Sequence, residues 1–252
     1  MTFFTKLLFG SNPTTDRLPR GAYAYQVLNL RRAWNNQSTN DFGVERLFRL
    51  FLILANFVFP SIVVRSITGR YGVIRSKLGV EAYVLLELLF LVSVLTFKWY
   101  QVAIIPYVVG YLLLETLVYL FAIIFLSDIG VPPISFKRSV LLLLINYIEV
   151  CLSFAVFYIN TNCLNKELPS PLAATYFSFV TSATVGYGDF YPTSGYGYFL
   201  VTSQILIFVV FVVIFLNFFS SRIEDRYFQL GRGRKRRLRK RRRRSLVHTI
   251  NI

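Results

Sequence analysis

Hydrophobic residues are grouped along this chain in five long runs separated by polar and charged loops. The first run, residues 50–64, has only fifteen residues and contains Asn56 and Pro60. The other runs are residues 80–97, 102–126, 139–158 and 198–219. Because a helix needs roughly 17–25 apolar residues to cross a bilayer, the last four runs predict membrane-spanning helices and the first is short for that role.

Basic residues set the predicted orientation, because Lys and Arg in short loops stay on the cytoplasmic side of a membrane. Lys137 and Arg138 precede the fourth run and a basic cluster follows the fifth, so residues 160–196 face outside. Basic residues also lie on both sides of the first run. We therefore interpret residues 46–66 as an interfacial or re-entrant helix. The alternative is a short spanning helix with an external N terminus.

The loop before the fifth run contains a short helix signal followed by a glycine-containing segment, TSATVGYGDFYP at residues 181–192. Ser170 suits an N-cap and Pro171 the first helical position, so residues 171–182 predict a helix of about three turns. The C-terminal end of such a helix carries partial negative charge that stabilises a cation. In residues 184–188 the two glycines permit positive φ, so that successive carbonyls can point to one side. Rings of such carbonyls can replace the water shell of an ion.

The segment TVGYGD at residues 184–189 resembles the selectivity-filter signature of potassium channels. The order of outer helix, short helix, filter and inner helix resembles their pore module, and the resemblance covers residues 137–222, about a third of the chain. It implies a homotetramer around one pore that conducts K⁺ passively, a channel and not an enzyme, with no cofactor and K⁺ as the permeant ion. The K⁺-binding filter residues are then Thr184, Val185, Gly186, Tyr187 and Gly188, with the Thr184 hydroxyl in the lowest ring and the Val185 and Tyr187 side chains packed behind the carbonyls.

Positions around the filter have further roles by the same resemblance. Tyr176 stands where many family members have a tryptophan that bonds to the aspartate after the filter, so we expect Tyr176 to donate to Asp189 and support the filter. Tyr191 falls where an aromatic ring binds external quaternary ammonium blockers. Ala183 replaces a threonine that is common in the family. Val180 replaces the glutamate of some prokaryotic members, so Asp189 is expected to stay ionised.

The inner helix departs from the family pattern, since residues 199–219 contain neither a hinge glycine nor a proline. Opening is then small, or the gate lies in the filter. Thr202, Ser203 and Gln204 are the polar residues of this helix. Thr202 and Ser203 are candidates for lining the pore cavity. The alternative is that these side chains form hydrogen bonds between helices.

The predicted fold class is an all-α membrane protein, a tetrameric potassium-channel pore module preceded by two or three additional membrane helices. The predicted domains are a cytosolic N-terminal arm at 1–45, the interfacial or re-entrant helix at 46–66, two peripheral transmembrane helices at 80–127, the pore domain at 137–222 and a basic cytosolic tail at 223–252. Within the pore domain the outer helix is residues 138–159, the pore helix 171–182, the filter 184–188 and the inner helix 197–220. We expect a multi-pass protein of the cell or plasma membrane with a cytoplasmic C terminus.

Composition fits this class, since a hydrophobic content of 55% and a mean hydropathy of +0.53 do not suit a soluble domain. Of the net charge of +16, eleven positive charges lie in residues 231–244, from Arg232 to Arg244, which leaves about +5 elsewhere. Each basic residue near an anionic leaflet contributes about 1 kcal/mol, so we expect this tail to bind anionic lipids and to anchor the topology. Nucleic acid is a less favoured partner. Two cysteines and one histidine give neither a disulfide scaffold nor a zinc site.

Charged residues inside the runs leave regulation open. None of the runs before the filter has arginine at every third position, so conventional voltage gating is not expected. Glu87, Glu115 and Glu149 lie inside apolar runs, either paired with cations such as Arg49 or Arg65, or as a proton or cation sensor. Two other functions remain as alternatives: a non-conducting regulatory or scaffold subunit with a pore-like fold, and a membrane anchor that binds polyanions through the tail.

Overall fold

The computed structural model describes residues 22–34, 43–126, 136–214 and 216. Within these residues the structure is helical, with one isolated bridge and no strand. The helices are α1 Ala22–Trp34, α2 Gly43–Ala55, α3 Pro60–Gly69, α4 Val73–Thr96, α5 Ile105–Phe125, α6 Phe136–Asn160, α7 Pro171–Ser182 and α8 Gly195–Ile214. The chain divides into two units, Met1–Phe211 and Val212–Ile252, and only residues 212–214 and 216 of the second are described.

Four of the described helices are long and apolar enough to cross a membrane. The segments that meet this condition are Arg75–Thr96, Ile105–Phe125, Lys137–Asn160 and Gly195–Ile214. The pair formed by α2 and α3 adds a fifth apolar segment, bent by 68°. The prediction of an all-helical, multi-pass membrane protein is therefore confirmed. The last residues predicted for the inner helix, and the whole basic tail, lie outside the described residues.

The break between α2 and α3 corrects the prediction of one helix at residues 46–66. Pro60 lacks an N–H and disfavours the helical conformation of the residue before it, and Phe59 is extended with φ −91° and ψ 148°. The sequence therefore ends one helix and starts another at this point. A bend of 68° fits both a broken span and a re-entrant loop, so the two alternatives for this region remain.

Side chains of α5 satisfy the backbone at this break. The Tyr111 hydroxyl donates to the Val58 carbonyl at 2.8 Å, and Glu115 Oε1 accepts from the Ser61 N–H at 2.9 Å. Backbone that leaves the helical pattern at membrane depth is tolerated only where protein groups replace its lost partners. A carboxylate also suits the N-terminal turn of α3, where the free N–H groups carry partial positive charge. Glu115 therefore caps α3 from another helix.

One helix was not predicted, and two helix starts differ from the sequence prediction. The arm at residues 1–45, for which no helix was predicted, contains α1, a segment without glycine or proline whose Ala33 is buried. The helix α4 begins at Val73, seven residues before the second apolar run, directly after Gly72 with φ 115°, and it includes Gly79. Pro106, expected inside a span, lies in the first turn of α5, where its missing N–H costs nothing.

A hydrophobic core joins the peripheral helices to the pore helix. Its members that are at most 2% exposed include Leu91 and Val94 of α4, Val109 of α5, Ala155 of α6 and Ala174 of α7. Small residues at the last two positions allow α6 and α7 to approach closely. The short helix α7 is therefore held against the outer helix within one unit of the chain.

Candidate ion-conducting site

The short helix before the filter is Pro171–Ser182, the range that the sequence predicted. Ser170 is extended, and its hydroxyl accepts a hydrogen bond from the Ala173 N–H at 3.2 Å. Such an N-cap stabilises a helix by about 1 kcal/mol. The helix start is thus fixed by local sequence, and its C-terminal end leads directly into the filter.

The C-terminal end of α7 is a Schellman motif, in which the filter begins without a linker. The Thr184 N–H donates to the Thr181 carbonyl at 3.1 Å, and the Val185 N–H donates to the Val180 carbonyl at 3.0 Å. The left-handed position of this motif usually belongs to glycine. Here it is Thr184, with φ 55°, which costs about 1–2 kcal/mol for a non-glycine residue. The residue predicted to bind K⁺ through its hydroxyl is therefore also a strained helix cap.

The backbone of residues 184–188 alternates in handedness. Thr184, Gly186 and Gly188 have φ of 55°, 59° and 82°, whereas Val185 and Tyr187 do not have positive φ. Both glycines thus take the conformation that their lack of a side chain permits. A Cβ built on Gly186 or Gly188 would meet no atom within 4 Å, so the requirement for glycine is one of backbone conformation.

Tyr176 of α7 packs against the segment at residues 184–188. Its ring stacks on that of Tyr187, with centroids 6.4 Å apart and an interplanar angle of 6°. Desolvation, and then the interaction with the Asp189 side chain, raise the pKa of the Tyr176 hydroxyl. Tyr176 and Asp189 therefore interact electrostatically, and the hydrogen bond expected between them stays a prediction. Its effect on inactivation stays a prediction.

The loops on either side of α7 and the filter are tied together. The Asn165 N–H donates to the Tyr191 carbonyl at 2.9 Å, and the Tyr191 N–H donates back to Asn165 Oδ1 at 3.1 Å. The Cys163 carbonyl accepts from the Thr193 N–H at 3.0 Å. The Tyr191 side chain remains exposed, as a blocker-binding ring requires. Both ends of the filter segment are therefore fixed, one by α7 and the other by this loop pair.

Gly197, in the first turn of α8, lies against this loop pair. A Cβ at Gly197 would lie 2.6 Å from the Cys163 carbonyl oxygen and 3.1 Å from Pro192 Cβ. A backbone carbonyl cannot move aside as the end of a flexible side chain can. By contrast, a Cβ at Gly195 would meet nothing within 4 Å. The inner helix thus approaches the outer loop closely at one glycine.

A buried polar network behind α7 was not found from the sequence. Gln204 of α8 is 1% exposed, and its Oε1 accepts from the Tyr158 hydroxyl at 2.7 Å. Its Nε2 donates to Ser178 Oγ at 2.7 Å, to the Ser178 carbonyl at 2.9 Å and to Ser182 Oγ at 2.6 Å. Gln204 therefore joins the outer, pore and inner helices through one amide group.

The network continues into the outer helix. Ser178 Oγ donates to the Cys151 carbonyl at 2.6 Å, and Cys151 Sγ lies 3.4 Å from Ser182 Oγ. Ser178 is fully buried and Ser182 nearly so. Two serines four residues apart on α7, opposite the single glutamine of an uncharged helix, are the signal that sequence reasoning could have used. For Gln204 the alternative of hydrogen bonds between helices is correct, while Thr202 is exposed and Ser203 half-buried in the single chain.

The membrane glutamates differ from the expected ion pairs. Glu115 bonds to the Ser61 N–H and to the Tyr83 hydroxyl, the latter at 2.7 Å. Glu87 and Glu149 each have a buried Oε1 without a hydrogen-bond partner in the described part of the chain. Pairing with arginine is therefore the wrong interpretation for Glu115. The ion pairs in the described residues include Arg138 with Glu81, outside this set.

The fold defines a multi-pass membrane protein in which a half-length helix and a glycine-containing segment lie between two membrane-capable helices. Residues 142–225, which contain the filter segment and most of the outer and inner helices, match a family model described as ion channel. The match supports a potassium-channel type of family, as TVGYGD indicated. Searches of curated proteins and of solved structures give no significant match to the chain.

Proposed function

We propose that this protein is a K⁺-selective channel, and that four copies surround one pore without a conventional voltage sensor. The observation that carries the proposal is the alternating handedness of residues 184–188 at the end of a capped half-length helix. Alternation lets successive carbonyls face one side, and carbonyl oxygens are the ligands that replace water around K⁺. The helix end adds partial negative charge behind them.

The exposure of this segment supports assembly of several copies. In the single chain Val185 is 51% and Tyr187 71% exposed, although the helices around them are apolar. Irregular backbone at membrane depth must be covered by protein or line a water-filled cavity. Each chain supplies one filter strand, so other copies must supply the remaining cover. By resemblance to potassium channels, the number is four.

The test is ion flux through the purified full chain in liposomes. We expect K⁺ flux that greatly exceeds Na⁺ flux and is lost in Gly186→Ala, because alanine at φ 59° is strained. Gly195→Ala is the matched control, since an added Cβ meets nothing there. Equal K⁺ and Na⁺ flux would refute selectivity. No flux from a protein that assembles correctly would favour the non-conducting subunit instead, and loss of function only after deletion of residues 232–244 would favour the polyanion anchor.

A further inference from the structure

A second polar site lies away from the filter, among α3, α4, α5 and α6. It is a cavity of about 30 Å³ whose lining includes Arg65, Glu87, Glu115 and Asn146. This volume holds one or two water molecules. Most of the helix surface around it is apolar, and the helices that form it are candidate membrane spans. A charged cavity in this place needs a chemical reason.

The carboxylates of this cavity are unequally satisfied. Both oxygens of Glu115 accept hydrogen bonds, from the Ser61 N–H and the Tyr83 hydroxyl. Glu87 is only 9% exposed, lines the cavity, and has no hydrogen-bond partner for Oε1 among the described residues. Glu149 of α6 is 3% exposed, has a similarly unpartnered Oε1, and interacts electrostatically with the other two glutamates. An unpartnered buried carboxylate oxygen therefore lines the cavity, with another close by.

The charges around the cavity do not balance. The titratable or charged groups that line it are Arg65 of α3, Tyr83 and Glu87 of α4, and Glu115 and Tyr119 of α5. Glu149 of α6 interacts electrostatically with both glutamates, and Lys77 of α4 with Arg65. Two carboxylates of the cavity wall, with a third nearby, thus face the single guanidinium of Arg65, which in the described residues forms no ion pair with them. Leaving a carboxylate charged and unpaired in an apolar interior is costly, and binding of a positive charge removes the cost.

We propose that this cavity is a proton-binding site, in which Glu87 holds a proton shared with neighbouring carboxylates and water. A proton suits the site better than a metal ion for two reasons. Arg65 in the cavity wall repels a metal cation, and the described residues contain no cluster of three metal-binding side chains. A proton needs only the free Glu87 oxygen and the water-sized space beside it.

The site is linked to the pore through one helix. Asn146 and Glu149 lie on α6. Cys151 lies two residues after Glu149, and its carbonyl accepts the hydrogen bond from Ser178 of the pore helix. A change of charge beside Glu149 therefore acts on the helix that positions α7. This link to conduction rests on the proposed function, whereas the proton site itself does not.

Infrared difference spectroscopy of the purified full chain tests the site without any ion flux. As pH is stepped, the wild type should show the carbonyl stretch of a buried protonated carboxyl group that disappears as pH rises. Glu87→Gln should lack this band, and Glu167→Gln, a change at an exposed external position, should keep it. A wild type without the band, or a band that survives Glu87→Gln, overturns the proposal. So does a band that disappears when Na⁺ is raised at constant pH, because a metal ion is then the occupant.

Two further measurements cover failure of the Glu87 variant to fold and failure of the channel function. Glu149→Gln should move the midpoint of the wild-type band to lower pH, because it removes a neighbouring negative charge. An unmoved midpoint counts against a shared proton. In liposomes, K⁺ flux of the wild type should change with pH and that of Glu87→Gln should not. If the band changes with pH but the K⁺ flux does not, only the link to conduction is refuted.

Discussion

Replacing Gln204 by leucine tests the network that joins the inner helix to the pore helix. Leucine has a similar size but neither donor nor acceptor, so the change leaves the Tyr158 hydroxyl and the hydroxyls of Ser178 and Ser182 without their Gln204 partner. Gln204 is 1% exposed, so water cannot replace the lost bonds freely. We expect a lower free energy of unfolding and an altered geometry of the segment at residues 184–188.

The magnitude follows from the groups that lose a partner. A buried polar group without a hydrogen bond costs about 1–3 kcal/mol. Ser178 keeps its bond to the Cys151 carbonyl, and the added apolar contact of leucine offsets part of the loss. We therefore expect a net loss of about 2–4 kcal/mol per chain, which corresponds to a Tm lower by roughly 5–15 °C for a domain of this size.

Thermal unfolding in detergent and the K⁺/Na⁺ flux ratio in liposomes measure the two effects. Gln101→Leu is the matched control, because it makes the same replacement at an exposed glutamine. Ser178→Ala and the double variant complete a cycle in which the two changes should cost less together than the sum of their separate effects. A Gln204→Leu protein with the Tm and flux ratio of the wild type would refute the reasoning, as would strictly additive effects.

Three further changes test the surroundings of the filter. Gly197→Ala should cost about 1–3 kcal/mol, because its Cβ would lie 2.6 Å from a loop carbonyl, while Gly195→Ala should leave Tm unchanged. Tyr176→Phe should alter the rate of slow inactivation in patch recordings, and an unchanged rate contradicts the role of its bond to Asp189. Because desolvation and then the Asp189 side chain raise the pKa of Tyr176, the tyrosine stays a donor to higher pH than an ordinary tyrosine, so mild alkali should not reproduce the effect of the variant. External tetraethylammonium should block the wild type and not Tyr191→Val, and absence of block in both would count against this register of the outer mouth.

Local sequence was sufficient for the features whose physical cause is local. The start of α7 depends on Ser170 and Pro171, and the glycines of the filter have positive φ because no other residue takes it cheaply. The long apolar runs likewise predicted the membrane-capable helices, since burying backbone in lipid requires hydrogen bonds within the helix. The helix start, the glycine conformations and the membrane-capable helices could therefore be predicted without knowledge of tertiary contacts.

Features that depend on contacts between distant residues could not be predicted in this way. Glu115 lies 54 residues from Ser61, and only the fold shows that its carboxylate caps α3 instead of pairing with arginine. Gln204 is separated by 26 residues from Ser178, so the sequence could not distinguish a position at the helix interface from one lining the pore. The helix α1 was not predicted because its polar residues interrupt the apolar pattern. Its contacts with α2 and α3 depend on the fold.

The position of Thr184 has a consequence for the lengths that this region can tolerate. Because the same residue ends the hydrogen-bonding pattern of α7 and begins the filter, there is no spacer that could absorb a change in length. One residue added or removed inside α7 would rotate everything after it by about 100° around the helix axis and shift it by about 1.5 Å. Natural or designed variants of this region should therefore keep the number of residues in α7 fixed, and should place insertions in the loop that precedes Ser170.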